Sequence, residues 1–475
     1  MKKFFLVALA LMLASTSEAE IRLRSLFQSK MVLQQKQRVP LCGTADPNES
    51  ITVTCSWLSE PMRTKADKEG AWCVVLPTPA ATSTPQTVEV AGRTEQLQLT
   101  DVLIGEVWLC SGQSNMQMGL RGYPSQPVEG ALNELMQATK YKKLRLFRVG
   151  ATYSNELHTT CKGAWNDSHA EAAGEVSAIG YILGSRLSEA LDVPVGIISS
   201  AYGGTRIEAW LSPEVIATFD KADLGPKPNK EYQNPSVTYN TMIAPIEGFP
   251  LAGVVWLQGE SNRHKPEVHA PMLRALMKQW RTAWQQPELP FIICHIAPLP
   301  SKSTQFGGAC IQEAQTQVVQ SDAHAYLVGT SDIGDKHMVH YPKKIIVGER
   351  VLCSALANVY GVAGLPKSGP MMESVRFDGK RAIVTFAHAE RGLVPTGEAI
   401  RCFELAGEDL QFYPAEARVG KKRATVEVTS EAVPAPRYVR YAFSNWHQTN
   451  LSDVYGLPAI PFRTDTLSQS ELERK

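Results

Sequence analysis

The residues best suited to chemistry lie in Gly112-Gln-Ser-Asn-Met116, where the apolar run 107–110 stops in a small polar turn carrying Ser114. A hydroxyl placed at the carboxyl edge of a sheet can act as a nucleophile when a base and oxyanion donors reach it. Three further segments carry such groups. Gly203 and Gly204 follow the run 195–199, and without a Cβ they let a backbone N–H approach a substrate closely. Gln258 and Asn262, in Gln258-Gly-Glu-Ser-Asn262, follow the run 254–257 and offer side-chain amides. His340 follows the run 325–329 and precedes a helix pattern beginning near Lys343, which makes it the candidate base. In an open α/β sheet the carboxyl ends of neighbouring strands share one crevice, so these segments can converge on acyl transfer at Ser114.

The elements that must position them divide the chain into parts. Residues 20–100 alternate apolar and polar in short stretches separated by turn clusters, and predict an N-terminal antiparallel β domain. Over 101–363 the apolar runs 107–110, 195–199, 254–257, 291–295 and 325–329 alternate with helix patterns. Leu273, Leu276, Met277, Trp280 and Trp284 share one helical stripe, and Val347, Val351, Leu352, Ala355 and Val359 share another. This predicts an α/β fold, a three-layer α/β/α sandwich around a parallel sheet. Two polar, irregular excursions, 120–174 and 213–240, are long enough to shape a binding site. Within the first, Lys140, Lys142, Lys143, Arg145 and Arg148 alternate with apolar residues, which reads as a strand with one solvated basic face. Residues 364–475 return to alternation as a C-terminal β segment, standing alone or packed with the N-terminal one.

The formal net charge of +1 supplies no field for steering nucleic acid. Lys2 and Lys3, an apolar run from Phe4 to Ala14 and the small-x-small site Ser17-Glu-Ala19 predict a leader peptide over 1–19, hence an exported protein, periplasmic or extracellular. No later stretch is apolar and long enough to span a bilayer. Nine cysteines show no metal-ligand spacing, so neither metal nor cofactor is expected; at most one or two disulfides, for instance Cys55 with Cys73, fit the first β segment.

Several motifs together resemble the SGNH-type serine esterases, and within them the sialate O-acetylesterase-like proteins. Gly112-Gln-Ser-Asn-Met116 is similar to the nucleophile block, Tyr202-Gly-Gly-Thr-Arg-Ile-Glu-Ala-Trp210 to the glycine block and Trp256-Leu-Gln-Gly-Glu-Ser-Asn262 to the third block. Tyr239-Asn-Thr-Met-Ile-Ala-Pro245 lies between the last two; His340 with Pro342, Lys344, Gly348 and Arg350 resembles the histidine block, and Asn450-Leu451 with 456–465 the C-terminal signature. The resemblance implies Ser114 as nucleophile, His340 as general base, and an oxyanion hole from the N–H groups of Ser114 and Gly204 with the Gln258 side chain, or Asn262 in its place. Relatives carry an aspartate two or three residues before the histidine, where this chain has Met338 and His337. Asp335 is then the candidate acid, with Glu260 or a Ser114–His340 dyad without an acid as the alternatives, and His337 a rival base if the register shifts. Arg206 and Arg263 flank the oxyanion segments and can pair with a substrate carboxylate, or with Glu208 or Glu260. The activity implied is removal of acetyl groups from sialic acid. Acetylxylan or another polysaccharide is the alternative substrate, and a non-catalytic carbohydrate-binding protein is the alternative class.

Overall fold

The computed structural model describes residues 20–225 and 227–474, so the leader peptide expected at 1–19 lies outside the described residues. The central sheet contains β1 (Gln96–Gly112), β2 (Leu144–Arg148), β3 (Trp165–Asp167), β4 (Val195–Ala201), β5 (Gly253–Leu257), β6 (Phe291–Cys294) and β7 (Ala325–Val328). Their lateral order is β3-β2-β4-β1-β5-β6-β7. All neighbours are parallel except the edge pair β3 and β2.

Successive side chains of these strands point to opposite faces, and both faces are apolar. Val107 and Leu109 of β1, Val254 and Trp256 of β5 and Phe291 of β6 pack with Leu273, Leu276 and Trp280 of α3 (His269–Ala283). Trp108, Cys110, Val255, Leu257 and Ile292 pack on the other side with Ile179 and Ile182 of α2 (Ala178–Leu191) and Val347 and Val351 of α5 (Lys344–Ser354). The remaining elements that position the site are α1 (Ser114–Gln117) and α4 (Gly307–Gln320). Each large apolar side chain buried this way contributes about 1.5–3 kcal/mol, so the sheet is a stiff platform for what its strand ends carry. Helices on both faces make the three layers expected.

The first excursion is more regular than its composition suggests, because it supplies β2 and β3. Arg145 of β2 is buried and paired with Asp101 (3.1 Å) and Asp167 (3.2 Å), so the basic face expected to be solvated is partly neutralised inside the protein.

β1 is 17 residues long and serves two layers. Its first half pairs antiparallel with Thr82–Ala91, its middle pairs parallel with Val32–Gln34, and its second half lies in the central sheet. Val53, Val88 and Val90 of the N-terminal segment bury in the same cluster as Val107 and Leu109. Cys73 is bonded to Cys42, which stands directly opposite it on the neighbouring antiparallel strand. Cys55, the partner expected from sequence, lies on a strand that pairs elsewhere; it is free, and burial pushes its thiol up to about 12. The C-terminal segment forms two four-stranded antiparallel sheets around its own cluster, including Val384, Phe403 and Tyr441. Among the described residues no helix is long and apolar enough to cross a membrane.

Candidate active site

β1 ends against β5 at Gly112, whose φ is +137° and whose missing Cβ would lie 2.0 Å from the Leu257 carbonyl oxygen. No other residue type fits there without moving β5. The chain then turns into α1, leaving Ser114 partly exposed at its start while Asn115 is buried. Asn115 Nδ2 donates to Glu260 Oε1 (2.6 Å) and to the Val339 carbonyl (3.2 Å), and its Oδ1 accepts from Lys344 Nζ. One amide next to the serine thus ties together the ends of β1 and β5 and the loop before α5. Lys344 is fully buried with its Nζ 3.5 Å from the Tyr341 ring centroid; burial drives its pKa well down, with Glu260 opposing.

His340 is adjacent to Val339 and half-buried. The Tyr123 ring meets it edge-on at 4.9 Å, while Tyr123 Oη donates to the Ser114 carbonyl (3.3 Å). His340 Nδ1 lies 2.6 Å from Gln126 Oε1, an acceptor, so this bond needs the proton on Nδ1 and leaves Nε2 as the basic nitrogen. Tyr123 and Gln126 are the two ends of a turn, Tyr123-Pro-Ser-Gln126, closed by two backbone hydrogen bonds (3.0 and 2.9 Å). Proline at its second position and Ser125 at φ +61° are what a type II turn requires. Burial lowers the His340 pKa to about 4, and the Lys344 charge adds to that.

The two candidate acids sit elsewhere. Asp335 Oδ1 accepts from the backbone N–H groups of His337 (2.7 Å) and Met338 (3.0 Å), and among the described residues no hydrogen bond joins Asp335 to His340. A carboxylate five residues upstream satisfies the nearest free backbone donors of its own turn first. Glu260 reaches Asn115 through Oε1, while its Oε2 is buried without a partner among the described residues. His337 is exposed. Sequence reasoning passed over Gln126; the Tyr-Pro-Ser-Gln turn was its only signal.

A Cβ on Gly203 would stand 3.3 Å from the Ser114 Cβ, so the glycine segment runs past the serine. Gly204 has φ +76°, and its carbonyl accepts from Gln233 Nε2 (2.7 Å) and Ser261 Oγ (3.0 Å). The N–H groups of Ser114 and Gly204 have no hydrogen-bond partner among the described residues. Gln258 is fully buried, and its Nε2 faces three acceptors: Gln113 Oε1 (3.2 Å), the Thr205 carbonyl (3.1 Å) and Asn262 Oδ1 (2.7 Å). Asn262 Nδ2 donates to Glu208 Oε2 (2.8 Å). Both amides therefore spend their N–H groups inside the protein and brace the glycine segment. Arg206 is half-buried and its charge opposes the rise that burial imposes on the Glu208 carboxyl. Arg263 is 7% exposed, its Nε buried and unpartnered among the described residues; burial lowers its pKa, with Glu260 opposing.

Residues 104–359 match the family described as "Carbohydrate esterase, sialic acid-specific acetylesterase". A sialate O-acetylesterase of Pongo abelii is 28% identical over 93% of this chain and 92% of its own length. That of Homo sapiens is 26% identical over the same shares. The crystal structure of a carbohydrate acetylesterase from Xanthomonas citri superposes with a TM-score of 0.84 at 32% identity, covering 94% of this chain and all of the other. These matches set aside the non-catalytic alternative, and the chain belongs to the sialic acid-specific acetylesterase family of carbohydrate esterases, acting as an acetylesterase.

Proposed function

We propose that this chain is an exported SGNH-type serine esterase that removes O-acetyl groups from sialic acid through an acetyl-Ser114 intermediate. The observation that carries the reading is the Asn115 side chain: bonded to Val339, it ties the serine turn to the loop that bears His340. Ser114 Oγ attacks the acetyl carbon as His340 Nε2 takes its proton, and the sugar oxygen leaves with that proton. Water then attacks the acetyl-enzyme with His340 again as base, and acetate departs. The free N–H groups of Ser114 and Gly204 serve as oxyanion donors; Gln258 and Asn262 hold the segment that presents them. Asp335 supports His340 through the backbone of its loop. Arg263, buried with its Nε unpartnered among the described residues, is suited to a substrate carboxylate such as that of sialic acid. Export is supported by the leader-like 1–19 segment and by the Cys42–Cys73 disulfide, which an oxidising compartment maintains.

The second reading is deacetylation of another carbohydrate such as xylan, since the Xanthomonas neighbour is described only as a carbohydrate acetylesterase. The protein is offered O-acetylated sialic acid and acetylated xylo-oligosaccharide side by side, and Ser114 is labelled with a fluorophosphonate. Acetate release from the sialic acid, lost in Ser114→Ala, is expected. Release from the xylo-oligosaccharide alone overturns the sialate reading, and an unlabelled Ser114 overturns the mechanism.

A further inference from the structure

Three tyrosines remote in sequence meet beside the glycine segment. Tyr202 directly precedes Gly203, Tyr153 comes from the first excursion and Tyr232 from the second. Their ring centroids lie 6.0 Å (Tyr153–Tyr202), 6.3 Å (Tyr153–Tyr232) and 5.5 Å (Tyr202–Tyr232) apart. Tyr153 stands edge-on to the other two, which tilt against each other by only 32°. Tyr232 lies over Gly204: a Cβ there would be 3.1 Å from its Cε2 and 3.2 Å from its Oη. The adjacent Gln233 bonds the Gly204 carbonyl and so fixes the ring's approach.

This cluster differs from the structural aromatics of the same molecule. Trp210, Trp256 and Trp280 stack edge to face with no exposure at all. Tyr153 is 38% exposed and the other two tyrosines are half-buried. Among the described residues none of the three hydroxyls has a hydrogen-bond partner. Burial raises the Tyr202 phenol, with Tyr153 and Tyr232 adding, so it remains a protonated donor at neutral pH. Rings with an apolar face and an unused polar edge, beside the acyl-transfer residues, match a pyranose: its C–H face packs on a ring while its hydroxyls take the phenols.

We propose that Tyr153, Tyr202 and Tyr232 form the sugar subsite, gripping the pyranose ring whose acetyl ester is presented to Ser114. The proposal rests on Ser114 as nucleophile. It also assigns the two excursions a job, since each delivers one wall of the subsite.

The test is a ratio: kcat/KM for acetylated sugar divided by kcat/KM for p-nitrophenyl acetate, which has no pyranose. O-acetylated sialic acid and acetylated xylo-oligosaccharide are the two sugar probes. In Tyr153→Ala the ratio should fall about tenfold, the scale of one lost aromatic contact, through a higher KM for the sugar. Tyr153→Phe should recover most of the loss, because the ring returns. An unchanged ratio in Tyr153→Ala overturns the subsite. Binding of the same probes to the Ser114→Ala protein by calorimetry gives a second readout, and equal affinity with and without Tyr153 also overturns it. Failure of the Ser114 reading looks different, since the unmodified protein would then resist fluorophosphonate labelling.

Discussion

At the residue scale the unusual feature is the neutral partner of His340. Gln126 Oε1 holds the Nδ1 proton, and so the tautomer, but brings no negative charge to favour the imidazolium. With burial and Lys344 also acting against the charged form, His340 stays neutral down to about pH 4. The acid limb of kcat/KM is therefore expected near pH 4, well below the usual histidine value of 6.5. Gln126→Ala should cost about a hundredfold in kcat, the scale of a mispositioned catalytic group, and Asp335→Asn much less. Gln126→Glu places a carboxylate against the imidazole, favours its protonated form and moves the limb to higher pH. The reverse ranking of Gln126→Ala and Asp335→Asn, or a limb that Gln126→Glu leaves in place, would return the orienting role to Asp335.

At the element scale, function depends on how β1 stops. A strand of 17 residues carries its register from the N-terminal β layer into the central sheet and delivers Ser114 at its far end. Gly112 is the point at which it turns, so Gly112→Ala forces either the left-handed backbone or β5 to yield. The expected outcome is a folded protein destabilised by about 1–3 kcal/mol with Ser114 no longer labelled by a fluorophosphonate. Wild-type labelling in that variant would show that the turn tolerates a side chain. The loop before α5 is held by a different device, buried Lys344 and Asn115 with the half-buried Glu260, which works because each polar partner bonds through Asn115.

For the whole molecule, acid is the vulnerable side. His269 and His295 are fully buried and His447 is nearly so; burial lowers them to about 4, 3 and 4. Below pH 6.5 the unfolded chain takes up protons that the folded protein refuses until those lower values. Stability should therefore fall as pH drops from 6.5 towards 4, by up to about 1.4 kcal/mol per pH unit for each histidine. Urea midpoints measured at pH 7, 6 and 5 check this, and a constant midpoint would contradict it. Asp465 acts in another window: burial raises its pKa, but Arg440 and Arg463 prevail and hold it low, so its contribution is lost progressively as the pH falls from the ordinary 3.8 through that lowered value.

Much of the arrangement was legible in the chain because it rests on local pattern. Short continuous apolar runs bounded by turn residues are the pattern of strands covered on both faces, and each strand end carried its glycine, serine or amide within a few residues. The placement of Ser114 and the glycine segment at strand ends was readable for that reason. Partners were not readable, because a side chain bonds to whatever the tertiary fold brings within about 3 Å, irrespective of distance along the chain. So Cys73 met Cys42 across a strand pair rather than Cys55, and His340 met Gln126, 214 residues away, rather than the carboxylate five positions before it.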